Sequence, residues 1–299
     1  MPLAPIALFV YDRPEHVKKT IETLAANTGA PESELFIFSD GPKSHNADQV
    51  EKVRRLIERI DGFKRIEIIK QDNNLGLAQS VISGVSGLVS RYGKVIVVED
   101  DLILSKYFLA FMNDALALYE NDDAVMHVSG WIPAADTGAL PETFFYNKAS
   151  CWGWATWARA WQHFNGDAEF LYREIKKRRK MKEFNLDDSV EFSRQLEKNI
   201  SGKIRTWAIK WQASIFLRDG LCLQPKISLV HNNGNDATGV HCAKTDVYDT
   251  EVSDRRINVN RIELAESAEA RRLMTAFFKS IRIGFAGKAL NKLKSYLHA

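Results

Sequence analysis

The chain has 299 residues, 45% of them hydrophobic and 26% charged, with a formal net charge of +3. That composition supports a large buried core and excludes a disordered chain, and so small a net charge gives no reason to expect nucleic-acid binding. Cys151, Cys222 and Cys242 lack C-x-x-C spacing, which excludes zinc-ribbon and dithiol redox motifs and fits a reducing cytoplasm.

At the start, Met1-Pro2-Leu3-Ala4-Pro5 lacks the basic and long apolar segments of a signal peptide. No apolar run approaches the ~20 residues that span a bilayer, so neither secretion nor membrane spanning is expected. Ile6 to Val10 reads as a buried strand. Pro14 followed by Val17, Ile21 and Leu24 reads as a helix with proline in its first turn. Leu35 to Phe38 is a second strand, Val50 to Ile60 a helix and Ile66 to Ile69 a third strand. Leu77 to Tyr92 is a long helix closed by Gly93. Lys94 to Val98 is the most apolar strand, which places it in the sheet centre with both faces covered.

This alternation predicts β-α-β units on a mainly parallel sheet flanked by helices, an α/β fold whose ligands sit beyond the carboxyl ends of the strands. Four strand ends then deliver polar residues to one rim: Tyr11-Asp12-Arg13, Ser39-Asp40-Gly41, Asp72-Asn73-Asn74 and Glu99-Asp100-Asp101. A helix to about Tyr119 and a strand from Ala124 to Val128 follow. The order of elements predicts one continuous unit over 1–265, its halves meeting near residue 130 (1–130 and 131–265), and a helical segment over 266–299.

Three consecutive acids at a buried strand end raise one another's proton affinity. A divalent cation relieves that strain, because Mg2+ or Mn2+ is held by one or two carboxylates and completes its shell with water and phosphate oxygens. The alternative is a solvated turn in which Asp100 or Asp101 caps the next helix.

Val97-Val98-Glu99-Asp100-Asp101 resembles the acidic signature of nucleotide-sugar glycosyltransferases of the Rossmann-like GT-A fold, in the E-D-D form of N-acetylglucosaminyltransferase I-like enzymes. The resemblance implies that Asp101 contacts the metal and that Glu99 and Asp100 lie near the ribose and the sugar. Pro5 to Pro14 resembles the opening strand and nucleotide-contacting turn of those enzymes, which implies donor contacts at Val10, Tyr11 and Arg13. Phe38-Ser39-Asp40-Gly41 resembles the second strand end, where Asp40 would hydrogen-bond a uracil base. Asn74-Leu75-Gly76-Leu77 resembles the turn beside the donor, implicating Asn74 and Gly76.

In the second half, Ser150-Cys151-Trp152-Gly153-Trp154 matches a glycine-tryptophan segment of the family, which implies that Trp152, Gly153 and Trp154 line the pocket for the acceptor and donor sugar. Flat aromatic faces suit sugar C–H surfaces. Trp157 and Trp161 read as packing. Trp207 joins the pocket, but Ala208 stands where related inverting enzymes carry an acid near such a tryptophan. The general base is therefore sought in Asp236 or Asp246, with inversion favoured over retention. The segment from Val230 to Cys242 resembles the N-x-G-x-x-x-x-G-x-H segment of family 2-like bacterial polysaccharide transferases, and offers His241 as a second metal ligand. His231 reads as packing.

Between Arg271 and Ala299 there are seven Lys or Arg residues and no acid, interleaved with apolar residues. That pattern suits a helix on an anionic membrane surface, or one packed on the protein. The expectation is a metal-dependent glycosyltransferase (EC 2.4) acting on a UDP-sugar and a glycan or polyprenyl-linked oligosaccharide, cytoplasmic and peripheral to the membrane. Its rivals are a non-catalytic sugar-nucleotide or glycan-binding module and a sugar-phosphate nucleotidylyltransferase. The latter lacks its glycine-rich loop after the first strand.

Overall fold

The computed structural model describes residues 2–135, 137–234 and 247–297, from residue 283 onward for the backbone alone. The chain opens with β1 (Ile6–Val10), α1 (Pro14–Ala25), β2 (Glu34–Ser39), α2 (Ala47–Ile57), β3 (Arg65–Lys70), α3 (Leu77–Tyr92) and β4 (Lys94–Glu99). A short β5 (Leu102–Leu104), α4 (Phe108–Leu118), β6 (Val125–Ser129), β7 (Thr143–Phe145) and β8 (Trp154–Trp157) follow. Five helices come next: α5 (Ala158–Trp161), α6 (Ala168–Lys177), α7 (Met181–Phe184), α8 (Phe192–Ile200) and α9 (Ala208–Leu217). The described chain ends with β9 (Leu221–Pro225), β10 (Val230–Asn232) and α10 (Ala268–Leu297).

Eight strands form one sheet in the order β3-β2-β1-β4-β8-β6-β9-β7. Strands β3, β2, β1 and β4 run parallel, β8 runs against β4 and β6, and β9 runs parallel to β6. The fold is therefore mixed α/β with a largely parallel core sheet flanked by helices. Successive strands step outward from β1 to β3, and the chain then returns to place β4 on the other side of β1. In open α/β sheets such a reversal is where a ligand crevice forms, here beyond the carboxyl ends of β1 and β4.

Side chains alternate along a strand, so a strand with apolar residues at every position needs cover on both faces. Ile6, Leu8 and Val10 of β1 and Ile96 and Val98 of β4 pack with residues of α1, α2 and α4. Ala7 and Phe9 of β1 and Val95 and Val97 of β4 pack with α3, α5 and α9 on the other face. Helix α3 ends where Gly93 adopts φ +78° and its N–H donates to Val89 O at 2.9 Å, a left-handed cap that costs glycine nothing.

Candidate functional site

The rim forms where β1 and β4 end. Since β8 is antiparallel to both β4 and β6, β6 points the same way as β4. The carboxyl end of β6, at Gly130-Trp131, therefore shares the rim with Arg13 and Glu99-Asp100-Asp101. The start of β8, at Cys151 to Gly153, joins it: Gly130 N donates to Gly153 O at 2.7 Å.

Arg13 closes the acidic turn. Its Nη2 donates to Asp100 Oδ1 at 2.6 Å and to Asp101 Oδ2 at 2.7 Å, while its Nη1 is buried with no partner among the described residues. The backbone of the turn is fixed from α1, where the Thr20 hydroxyl donates to Asp100 O at 2.8 Å and accepts from Leu102 N at 3.1 Å. Burial, with the Asp101 charge adding to it and Arg13 opposing, pushes the Asp100 carboxyl up to about 6. Glu99 is driven well above the usual carboxylate range, first by burial and then by the charges of Asp101 and Asp100, although the Trp207 side chain hydrogen-bonds it. The countercharge that the sequence assigned to a metal alone is thus partly supplied by a guanidinium.

A two-stranded sheet brings in residues far along the chain. β10 pairs antiparallel with β5, Asn232 opposite Leu102. Asn233 N then donates to Asp101 O at 2.9 Å, and Asn232 Nδ2 reaches Asp101 Oδ1 at 3.3 Å. Gly234 lies so close that a Cβ there would sit 2.2 Å from Asp101 Oδ2 and 2.9 Å from Arg13 Nη1.

Asp40 holds the neighbouring loops together. Oδ1 accepts from Gly41 N and Leu75 N, each at 2.8 Å, and Oδ2 from Gly76 N at 2.9 Å and Asn74 Nδ2 at 3.0 Å. Those four donors fill the lone-pair sites of one carboxylate. Gly76 adopts φ +77° to start α3. Asn46 ties the first loop to α2, its amide donating to Tyr11 Oη at 2.7 Å and to Asp12 Oδ2 at 2.5 Å. Arg54, which sequence reasoning missed, donates to Gln71 O at 2.6 Å and joins the ends of β2 and β3; nothing in its helical context marks it.

One expected donor contact, Val10, and two expected pocket residues, Trp154 and Gly153, face elsewhere. The Val10 side chain is in the core, and its carbonyl accepts from Asp40 N at 3.2 Å. Trp154 is fully buried and stacks on Trp207 with ring centres 5.1 Å apart, because β8 is interior to the sheet and its residues have no route to solvent. Gly153, at φ +62°, lies against Phe108 and Val230, where a Cβ would come within 2.8 Å of Val230 Cγ2, so its close approach is to the core. Trp207 is almost wholly buried and touches the site through Glu99. Trp152 is half-buried and meets Trp131 edge to face at 4.7 Å. Trp157 and Trp161 pack as expected, their indoles donating to Leu116 O and Ser86 Oγ.

Asp236, Asp246 and His241 lie outside the described residues. On either side of that segment, Gly234 lies against Asp101, and Tyr248 against Trp131 and Trp152 at 6.3 and 6.0 Å. Among the described residues, no group of three or more His, Cys, Asp or Glu side chains is arranged to hold a metal ion.

No family model matches the sequence, and no curated protein matches it. Among solved structures, the chain is similar to the mannosyltransferase PcManGT from Pyrobaculum calidifontis in complex with GDP-Man and Mn2+. That likeness has a TM-score of 0.41 and 9% identity, over 73% of this chain and 69% of that one. It is also similar to S. aureus TarS 1-349, with a TM-score of 0.34 and 14% identity over 52% of this chain and 47% of that one. For TarS 1-349 in complex with UDP-GlcNAc the TM-score is 0.30, at 15% identity over 42% of this chain and 33% of that one.

Proposed function

We propose that the protein is a glycosyltransferase that takes a sugar from a nucleoside diphosphate donor, UDP-linked, and passes it to a glycan or polyprenyl-linked oligosaccharide in bacterial surface polysaccharide synthesis. One observation carries this reading. At the strand reversal between β1 and β4, Arg13 is held by two carboxylates through one nitrogen and keeps its buried Nη1 without a partner. A buried guanidinium N–H with nothing to bind favours an anionic oxygen, and a phosphate oxygen is one such acceptor. The adjoining acids suit the other end of the same ligand.

The donor set is also compatible with a hard divalent cation. Among the described residues the Asp101 Oδ1 contact is one long hydrogen bond of 3.3 Å from Asn232, and Mg2+ or Mn2+ needs no closed protein cage when phosphate and water supply the remaining oxygens. Asp101 would hold the ion, with His241 as second ligand. Bound there, the cation supplies Lewis-acid stabilisation of the departing diphosphate. Arg13 binds a phosphate oxygen while remaining paired with Asp100 and Asp101. Tyr11 and Asn74 border the nucleotide, Asp40 and Gly76 set the loop that does so, and Glu99 and Asp100 face the ribose and sugar. Trp152 lies on the acceptor side. Asp236 or Asp246 deprotonates the acceptor hydroxyl in an inverting displacement. We place the enzyme in the cytoplasm, in peripheral contact with the membrane through its C-terminal helix.

A purified catalyst of this kind releases UDP slowly from a UDP-sugar when Mn2+ or Mg2+ is present, water replacing the acceptor. Asp101→Asn is expected to slow that release about 100-fold or more. A binding module would bind the nucleotide without releasing UDP, and that outcome overturns the enzymatic reading.

A further inference from the structure

Beside the acidic rim lies a second group of polar atoms that the donor reading does not use. The Lys148 ammonium sits 4.9 Å from the ring centre of Trp131 and 5.5 Å from that of Phe278, a residue of α10. No carboxylate among the described residues is within ion-pair reach of it, and its electrostatic neighbours are the thiols of Cys151 and Cys222. Burial lowers its pKa to about 8, which leaves it mostly charged at neutral pH. Trp131 is only 4% exposed, yet its indole Nε1–H has no hydrogen-bond partner among the described residues.

Each of these observations carries a cost. Lys148 is half-buried, and cation–π contacts offset only part of the desolvation of a cation that has no counter-ion beside it. A buried donor left unmade loses its hydration with nothing in return. Both groups are donors only, so each other's company satisfies neither. What would satisfy both is an acceptor of negative charge.

The position is informative as well. Trp131 follows Gly130 at the rim and packs edge to face against the half-buried Trp152, with Tyr248 completing a three-ring cluster. Cys151 feels both Lys148 and the acids Glu99 and Asp101. Cys151 thus lies within electrostatic reach of both the lysine and the acidic turn, and the lysine sits against an aromatic surface suited to a sugar ring.

We propose that Lys148 and Trp131 form an anion subsite that receives a carboxylate or phosphate group carried by a sugar, with Phe278 of α10 covering the lysine. On the glycosyltransferase reading, on which this step rests for its biological meaning, the sugar belongs to the acceptor. The enzyme then selects an acidic glycan or a glycan phosphate over a neutral one.

The test uses three probes of similar size on the full chain: glucose, glucuronate and glucose 6-phosphate, followed by tryptophan fluorescence and by NMR saturation transfer. Either or both anionic sugars are expected to bind at least about 10-fold more tightly than glucose, equivalent to about 1.4 kcal/mol, and the stronger of the two identifies the anion. Lys148→Met fits the aromatic surroundings and is expected to erase the preference, while Lys148→Arg retains it. UDP release from the donor is expected to stay within about twofold of wild type in both variants. Equal binding of all three probes, or a preference that survives in Lys148→Met, overturns the subsite. If the preference depends on Lys148 but no donor is ever hydrolysed, the subsite stands and the transferase reading fails. If the donor is hydrolysed and the anions are ignored, the reverse holds.

Discussion

At Gly234 the chain has no room for a side chain, since any Cβ would occupy the space of Asp101 Oδ2. Gly234→Ala is expected to part Arg13 from Asp101 and to lower donor hydrolysis by about 10- to 100-fold, a loss of roughly 1.4–2.7 kcal/mol in transition-state stabilisation. Steady-state kinetics beside a thermal melt check this: the melt should change much less than the rate, and an unaltered rate would remove Gly234 from the site. The residue was visible in the sequence only as one glycine in a loop rich in amides. Glu99, Asp100, Asp101 and Arg13 were legible because charge at the end of an apolar strand demands a reason. Lys148 was not, because a lysine between Asn147 and Ala149 carries no local pattern, and its neighbours Trp131 and Phe278 arrive from distant segments. Tryptophan misled in the opposite direction. Its flat face suits a sugar and a core equally well, and Trp154 is core because of where β8 sits in the sheet.

The same asymmetry holds for the elements. The first six, from β1 to α3, and then β4, follow from periodicity, and the boundaries of β1 and α3 agree with the structure to the residue. Helix α2 begins earlier than its apolar pattern, at Ala47, because Asn46 is drawn into the Tyr11–Asp12 turn. The small β5–β10 pair was illegible: three residues are too few to show a period, and their pairing spans more than a hundred positions. Strand β6 carries a buried histidine, His127, which stacks on Trp154 and accepts from Trp211 Nε1 at 3.2 Å. Burial lowers its pKa from 6.5 to about 3. The folded protein thus keeps His127 neutral where an unfolded chain protonates it. Its contribution to stability is whole above about pH 6.5 and is lost progressively as pH falls towards 3, at up to about 1.4 kcal/mol per pH unit. Denaturant titrations between pH 6.5 and 4 should show a shallower pH slope for His127→Gln than for wild type, and parallel slopes would exclude this account.

Over the whole molecule, charge and packing divide the C-terminal helix. Ala270, Met274 and Phe278 of α10 are buried with Ile132, Phe144 and Tyr146. Arg271 pairs with Asp187 and Glu266, and Arg282 with Glu191. The start of the basic segment is therefore committed to the protein, and no helix among the described residues is long and apolar enough to cross a membrane. The packed turns of α10 place Phe278 over Lys148, so the end of the chain is tied to the rim where the beginning delivers Arg13.

The central claim is that this rim grips a nucleoside diphosphate, and crystals grown with UDP and Mn2+ test it most directly. A uridine in the crevice between β1 and β4, an anomalous manganese peak at Asp101, and a phosphate oxygen within hydrogen-bond distance of Arg13 Nη1 are expected. A nucleotide bound elsewhere, or an Arg13 that binds no phosphate while UDP occupies the crevice, would contradict it.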